Sequence, residues 1–338
     1  MTVVWSFLLG PIFISRMEYR YIRRSPLSLD TDIAESPELF SNEVDWLPDF
    51  VPNQFFKIPK EYKLNGHPKY LDGRVIGMDA ASVATVWALQ IDQSTKQDVL
   101  DMCCAPGMKL MVIKDRMCRD SQLVGTDVSE NRLRVCRKLM IKYGYSEFRG
   151  LFLKNQNDGE IVPFDKIVEQ TKSKKKRKLL AKRQKMDIME VPKQFDRVLV
   201  DAECTHDGSD RHESKHEGFW TNADTVGVVK NRVYYDTDDK INQLIENQKK
   251  LICEGFDLLA QNGLLVYSTC SLQSRQNEEV VEYLLEKFKG TAQLVELPFK
   301  LVEDGGNVPA RRVFGKCCLF DPATSGTSGQ FIACIRKH

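Results

Sequence analysis

No Gly-x-Gly-x-x-Gly and no Walker A sequence occurs in this chain of 338 residues. The first absence disfavours a dinucleotide, the second a nucleoside triphosphate. The apolar N-terminal stretch Val3–Ile14 falls well short of the roughly 20 residues that a membrane-spanning helix needs. It also lacks a basic segment ahead of it and a small-residue cleavage site, so it does not read as a secretory signal. The arginines that follow (Arg16, Arg20, Arg23, Arg24) leave mitochondrial targeting as an alternative to a packed N-terminal segment. A disulfide framework is missing too. Ten cysteines are present, but Cys136, Cys253 and Cys334 lie inside apolar or amphipathic runs, and a chain this long needs no staples. Most are therefore expected to be small core residues in a reducing compartment.

Hydrophobic content of 42% and charged content of 28% are those of an ordinary globular protein, long enough for one large domain and a smaller appendage. Charge is unevenly placed. Residues 172–185 hold nine Lys/Arg and no acid; the rest carries 40 basic and 47 acidic residues, a net of −7. Such a run is a low-complexity surface insertion, spanning about 165–190, whose like charges repel unless a polyanion is near. It points to nucleic acid contact or nuclear import, so the nucleus or cytoplasm is expected.

Residues 1–70 contain seven prolines with aromatics between them, and read as an irregular arm or small RNA-facing subdomain. A helix is expected near Ala80–Leu89. From residue 96 the pattern alternates between short apolar runs and helical periodicity. Strands are expected at Asp98–Met102, Gln122–Thr126, Leu151–Leu153, Arg197–Asp201 and Leu264–Ser268. Helices are expected at Lys109–Arg119, Ser129–Tyr143, Ile241–Ala260 and Asn277–Phe288. In the second of these Ser129 is the cap, and Leu133, Val135, Cys136, Leu139 and Met140 face inward. Later strands are expected around Leu294–Leu297, Arg312–Phe320 and Phe331–Ile335. Repeated βαβ units predict an α/β domain over 71–338, a Rossmann-like parallel sheet with helices on both faces.

In such a sheet ligands bind beyond the carboxyl ends of the strands. The first strand breaks into Asp101-Met-Cys-Cys-Ala-Pro-Gly-Met-Lys109, and the second ends at Asp127. A carboxylate at Asp127 can accept both hydroxyls of a ribose. Asp158, after the third strand, could reach an adenine amino group. These features favour a nucleoside with an uncharged tail, such as S-adenosylmethionine. Two thiols follow, Cys204 after the fourth strand and Cys270 after the fifth. If those strands are neighbours, the thiols flank one cleft. Methylation of cytosine at carbon 5 needs such a thiol, because a thiolate added to carbon 6 makes carbon 5 nucleophilic. Asp201 is placed to act at ring N3.

These segments resemble the RNA cytosine-5 methyltransferases of the NOL1/NOP2/Sun (RsmB/NOP) family, over about four-fifths of the chain. Asp101–Lys109, including Cys103, Cys104, Ala105, Pro106, Gly107 and Met108, is similar to the family's cofactor loop. Asp127 through Arg132 is similar to its ribose motif. Asp201–Cys204 resembles its Asp-Ala-Pro-Cys motif, and Ser268–Ser271 its Thr-Cys motif. The resemblance implies that Cys270 is the nucleophile, that Cys204 assists product release, and that Lys109 lies near Asp201 and the base. S-adenosylmethionine is the implied cofactor, and transfer or ribosomal RNA the implied partner. No membrane or metal partner is expected, and the chain is expected to be a monomer. Three positions depart from the family pattern. Glu203 replaces Pro, and is expected to raise the pKa of Cys204. Met108 and Leu110 flank Lys109 where Gly and Thr are usual. Gly326–Phe331 replaces Asp-Gly-Phe-Phe.

Two rival readings stand beside this one. His212-Glu-Ser-Lys-His216 has zinc-peptidase spacing, but its neighbours are loop-like and the only later histidine is the terminal His338. These histidines and Arg211 instead read as lining an RNA entrance. A non-catalytic RNA-binding scaffold on the same fold is the other alternative. Cys103-Cys104 and Cys317-Cys318 lack metal-ligand spacing.

Overall fold

The computed structural model describes residues 18–47, 50–51, 54–148, 150–154, 161–163, 191–209 and 237–338. Near the N-terminus, strand β1 (Tyr19–Arg24) lies between β2 (Phe55–Pro59) and β3 (Val75–Gly77), antiparallel to both. Three short helices, α1 (Thr31–Glu35), α2 (Pro37–Phe40) and α3 (Pro68–Leu71), accompany this sheet. Ile22, Phe56 and Val75 pack with Leu39 and Phe40 on one face. Proline density predicts irregular chain here, and the structure differs for a physical reason. Pro37 and Pro68 sit in the first turn of a helix, where the missing N–H costs nothing, and Pro59 closes β2. The small sheet also reaches past residue 70, because β3 pairs with β1 from Ile22↔Gly77 to Arg24↔Val75. Tyr21, Phe55 and Ile76 join the core of the larger sheet, and Trp46 meets Phe320 with ring centroids 5.6 Å apart.

The larger sheet is built from β4 (Val99–Asp101), β5 (Leu123–Asp127), β6 (Leu151–Lys154), β7 (Ile161–Pro163), β8 (Phe195–Asp201), β9 (Leu259–Thr269), β10 (Ala292–Leu294), β11 (Arg311–Arg312), β12 (Cys318–Phe320) and β13 (Gln330–Lys337). Its order is β11-β12-β13-β9-β8-β4-β5-β6-β7, with β10 paired to β13. The five strands from β6 to β9 are mutually parallel, and β13 returns antiparallel to β9. This is a Rossmann-like α/β sheet with helices on both faces, as the βαβ pattern predicts. The run expected as one strand over Arg312–Phe320 is two, β11 and β12, separated by a turn in which Gly315 takes φ +53°.

Successive side chains on a strand point to opposite faces. Val99, Leu199, Leu264 and Val266 therefore meet helices α4 (Ala80–Trp87), α5 (Met108–Arg116) and α6 (Glu130–Lys142). Leu100, Val198, Val200 and Leu265 meet α7 (Asp238–Asp257) and α8 (Glu278–Lys287) on the other face. Strands buried on both faces carry continuous apolar runs, which is why Val99–Asp101 and Leu123–Asp127 are buried throughout. Ser129 caps α6 by accepting the Arg132 amide at 3.4 Å. Leu133, Cys136 and Met140 face the core, whereas Val135 is exposed, one position off that stripe.

Gly255 of α7 lies flat on the sheet: a Cβ there would stand 2.9 Å from Val200 and 3.1 Å from Leu265. The next residue, Phe256, is buried against Phe288 at 4.6 Å between ring centroids. Phe256→Ala is expected to cost about 3–5 kcal/mol of stability. Urea unfolding checks this; a midpoint within experimental error of the parent would contradict the packing.

Candidate active site

The site begins with a register. β8 and β9 run parallel with Val198 beside Leu265 and Asp201 beside Ser268, so both strands leave the sheet at the same level. The Ala202 amide still donates to the Ser268 carbonyl at 3.0 Å. Beyond it the 203–208 loop folds onto the turn after β9. Asp207 is the clamp: its carboxylate accepts from the hydroxyls of Thr205 and Ser271 (the latter at 2.7 Å) and from the Leu272 amide at 3.0 Å. Gln276 accepts the Thr205 amide at 3.1 Å and donates to its hydroxyl at 2.8 Å. The Gly208 amide donates to the Cys270 carbonyl at 3.1 Å, and a Cβ at Gly208 would stand 2.7 Å from that oxygen. This bracing brings Cys204 Sγ and Cys270 Sγ to 3.2 Å.

The two thiols hold their protons differently. The Cys204 thiol donates to Cys270, and this outweighs burial there; His206 adds to it, and the Cys270 pKa falls to about 6. Cys204 is fully buried, and burial with the neighbouring sulfur pushes its thiol well above the ordinary range. The rise expected at Cys204 thus has burial as its cause. Glu203 is exposed and acts instead on His206 and Asp127. The sequence does not single out His206 as it does His212 and His216. Its only signal there is its place two residues after Cys204. Its Nδ1 stands 2.9 Å from Cys270 Sγ and 3.6 Å from Cys204 Sγ. Cys204, His206 and Cys270 offer two sulfurs and a ring nitrogen within 4.8 Å of one another. The sulfurs are closer than the ~3.8 Å that two thiolates keep on one tetrahedral zinc, and a thiol hydrogen bond joins them.

Lys109, from the first turn of α5, donates to Asp201 at 2.9 Å. Burial alone would lower its pKa, but Asp201 outweighs burial and keeps the ammonium charged. The other Asp201 oxygen accepts from Ser268 at 2.7 Å and from Gln330 at 3.4 Å. Gln330 is the second residue that the sequence does not single out; it opens β13, paired with Phe320 of β12. Asp101 sits behind this group, wholly buried. Burial, then the charge of Asp201, pushes its carboxyl up to about 8, so it is protonated at neutral pH.

The loop 103–108 leads from β4 into α5. Asp127, 2% exposed at the end of β5, accepts the Ser129 amide at 2.9 Å through Oδ1. Its Oδ2 is buried without a hydrogen-bond partner among the described residues, and Arg132 lies 3.4 Å away. That unspent acceptor fits a ribose hydroxyl. Arg132 also donates to the Ala105 carbonyl at 2.6 Å, bracing the loop. Cys103 is half-buried, and Met108 opens α5 packed against the core. Cys104 points away from the site: its sulfur fills the space where a Cβ on Gly125 would stand, 3.0 Å off. Gly107, after Pro106, takes φ +104°, and its missing Cβ makes room for Cys136 Sγ at 2.7 Å. Glycine is thus required there by helix packing. Asp158, Arg211, His212, His216 and the 172–185 basic run lie outside the described residues.

Comparison with known proteins gives consistent relatives. A family model described as 16S rRNA methyltransferase RsmB/F matches residues 88–336. Ribosomal RNA small subunit methyltransferase F of Vibrio parahaemolyticus is 26% identical over 275 residues, 81% of this chain and 47% of that protein. A tRNA (cytosine(49)-C(5))-methyltransferase of Pyrococcus abyssi is 26% identical over 275 residues, 80% of this chain and 72% of that one. The chain spans about half the length of the bacterial relatives it matches. Among solved structures, a methyltransferase homolog from Pyrococcus horikoshii superposes with a TM-score of 0.61 at 24% identity, covering 96% of this chain and 88% of that one. That likeness concerns the fold.

Two thiols at 3.2 Å need only a small rotation to reach a disulfide bond length of about 2.05 Å. Diamide should therefore link Cys204 to Cys270 rapidly, as peptide mapping would reveal. Asp207→Ala, which releases the clamp, should slow that linkage; equal rates would show that the clamp does not set the approach.

Proposed function

Because the chain belongs to the family described as 16S rRNA methyltransferase RsmB/F, we propose that it methylates carbon 5 of cytosine in RNA, using S-adenosylmethionine. The observation that carries this reading is the pair of thiols with opposite proton affinities, Cys270 poised as thiolate and Cys204 kept as thiol, beside the Asp201–Lys109 ion pair. Cytosine carbon 5 is a poor nucleophile on its own. The Cys270 thiolate adds to carbon 6, forming an S–C bond and making carbon 5 enamine-like. The Asp201 carboxyl would hydrogen-bond ring N3 of the adduct; Lys109, Ser268 and Gln330 hold that carboxyl in place.

S-adenosylmethionine, when bound, supplies an electrophilic methyl group. Asp127 would hold its ribose through the unspent Oδ2, and the backbone of 103–108 would line its pocket. Cys204 assists release, in which the carbon 5 proton passes to solvent water, the S–C6 bond breaks and Cys270 departs as thiolate. Transfer RNA and ribosomal RNA are the substrate classes named for relatives, and the chain is proposed to act on one of them.

Cys204→Ala incubated with cofactor and a transfer and ribosomal RNA pool should accumulate an RNA–protein adduct that survives denaturant. Adding Cys270→Ala should abolish it. An absence of adduct across both RNA classes would sink the covalent mechanism. Asp127→Asn should weaken S-adenosylmethionine binding at least tenfold, about 1.4 kcal/mol, by calorimetry. A parent chain that binds no cofactor at millimolar concentration would instead favour the RNA-binding scaffold.

A further inference from the structure

His206 occupies an unusual backbone position. Its φ is +59°, in the left-handed region that only roughly a few per cent of residues other than glycine occupy, histidine more often than most. Such strain persists only where the surroundings hold it, and it gathers at functional sites. Here the surroundings are explicit. Thr205 is tied to Gln276 and Asp207 on one side, and Gly208 is tied to Cys270 and Gly329 on the other. The bend aims the imidazole at the thiol pair, placing Nδ1 2.9 Å from Cys270 Sγ and 3.6 Å from Cys204 Sγ.

We propose that His206 is a catalytic residue whose Nδ1 takes the proton of the Cys270 thiol and holds the thiolate as an ion pair until it adds to the base. This deepens the methyltransferase reading and rests on it. The balance is simple. The Cys270 S–H bond breaks as an N–H bond forms on His206. A sulfur lone pair then forms the S–C6 bond. On release that bond breaks, its electron pair returns to sulfur, and the imidazolium again faces a thiolate. The His206 proton is not consumed; the proton lost from carbon 5 passes to solvent water, and the C5–H electron pair forms the C5–C6 double bond as the S–C6 bond breaks.

The charges around the pair agree with this assignment. Cys204 donates to the Cys270 sulfur, Lys109 adds positive charge toward it, and Asp201 opposes the thiolate. Burial disfavours the imidazolium, but Cys270, then Glu203 and Asp201, outweigh burial and raise the His206 pKa. Glu203, the departure expected to disturb Cys204, thus helps keep His206 protonated. Asp207 is occupied with the hydroxyls of Thr205 and Ser271 and the Leu272 amide, clamping the loop that carries the imidazole.

The test needs neither RNA nor cofactor. The full chain, kept reduced, is alkylated with iodoacetamide between pH 5 and 10, and Cys270 labelling is followed by peptide-resolved mass spectrometry. The parent should show a midpoint near 6. His206→Gly relieves the left-handed strain and His206→Asn tolerates it, so both should fold, as circular dichroism would verify. Both should shift the midpoint upward by a unit or more, toward the ~8.5 of an ordinary thiol, with labelling at pH 7 several-fold slower. An unmoved midpoint in both folded variants would overturn the proposal and leave His206 a loop prop. A His206-dependent midpoint in a chain that forms no RNA adduct would sink the methyltransfer reading alone. An adduct with an unmoved midpoint would sink only the role of His206.

Discussion

Everything at the candidate site depends on the parallel pairing of β8 with β9. The ladder from Val198↔Leu265 to Asp201↔Ser268 ends both strands at one level, so the residues just beyond them emerge side by side. A shift of one residue would turn Asp201 and Ser268 to opposite faces and break their 2.7 Å hydrogen bond. The register is protected because it is buried on both sides. Val198 and Val200 meet α7 and α8, while Leu199 and Val266 face the opposite layer. Packing thus sets chemistry: the helices hold the ladder, the ladder sets the loop origins, and the Asp207 clamp brings the thiols together.

From that constraint follows an electrostatic division of labour. The two sulfurs share one buried neighbourhood, yet Cys204 is sealed within it while Cys270 retains some access. Burial acts on both thiols, and backbone amides of His206 and Cys270 donate to Cys204, but only Cys270 gains side-chain donors that lower its pKa, from Cys204 and His206. On the far side of Asp201, Lys109 and Asp101 form a second division. The lysine remains charged beside Asp201, and the deeper Asp101 carboxyl remains protonated. A carboxylate too many at the sheet edge would repel its neighbours. Neutralising the most buried one leaves Asp201 and Asp127 free to serve as acceptors.

The N-terminal sheet is joined to this machinery through packing and a few polar ties. Tyr21 donates to the Gly326 carbonyl at 2.8 Å, and Asp79, the cap of α4, accepts the Ser328 amide at 3.1 Å. Both ties reach the turn that delivers Gln330 to Asp201. The segment that departs from the family's late motif is thereby anchored from two elements, and it contributes a side chain to the site even though its sequence differs.

The sequence by itself determined the strand–helix alternation and the chemical residues at strand ends, because buried parallel strands must be apolar and must stop where polar chemistry starts. Asp101, Asp127, Asp201, Cys204 and Cys270 were legible for that reason. What stayed hidden has equally physical causes. Pro37, Pro59 and Pro68 disguised a small sheet because proline is harmless at helix starts and strand ends. Val135 fell one position off the buried stripe, a rotation that periodicity alone does not fix. Cys104 and Gly107 looked like ligand-facing loop residues, but their demands come from Gly125 and Cys136 across the core. His206 belongs to a turn and Gln330 opens β13 straight after one, where no period announces direction. Only the tertiary structure, by clamping one loop in a left-handed bend and returning β13 beside β9, decided that these two side chains reach Cys270 and Asp201.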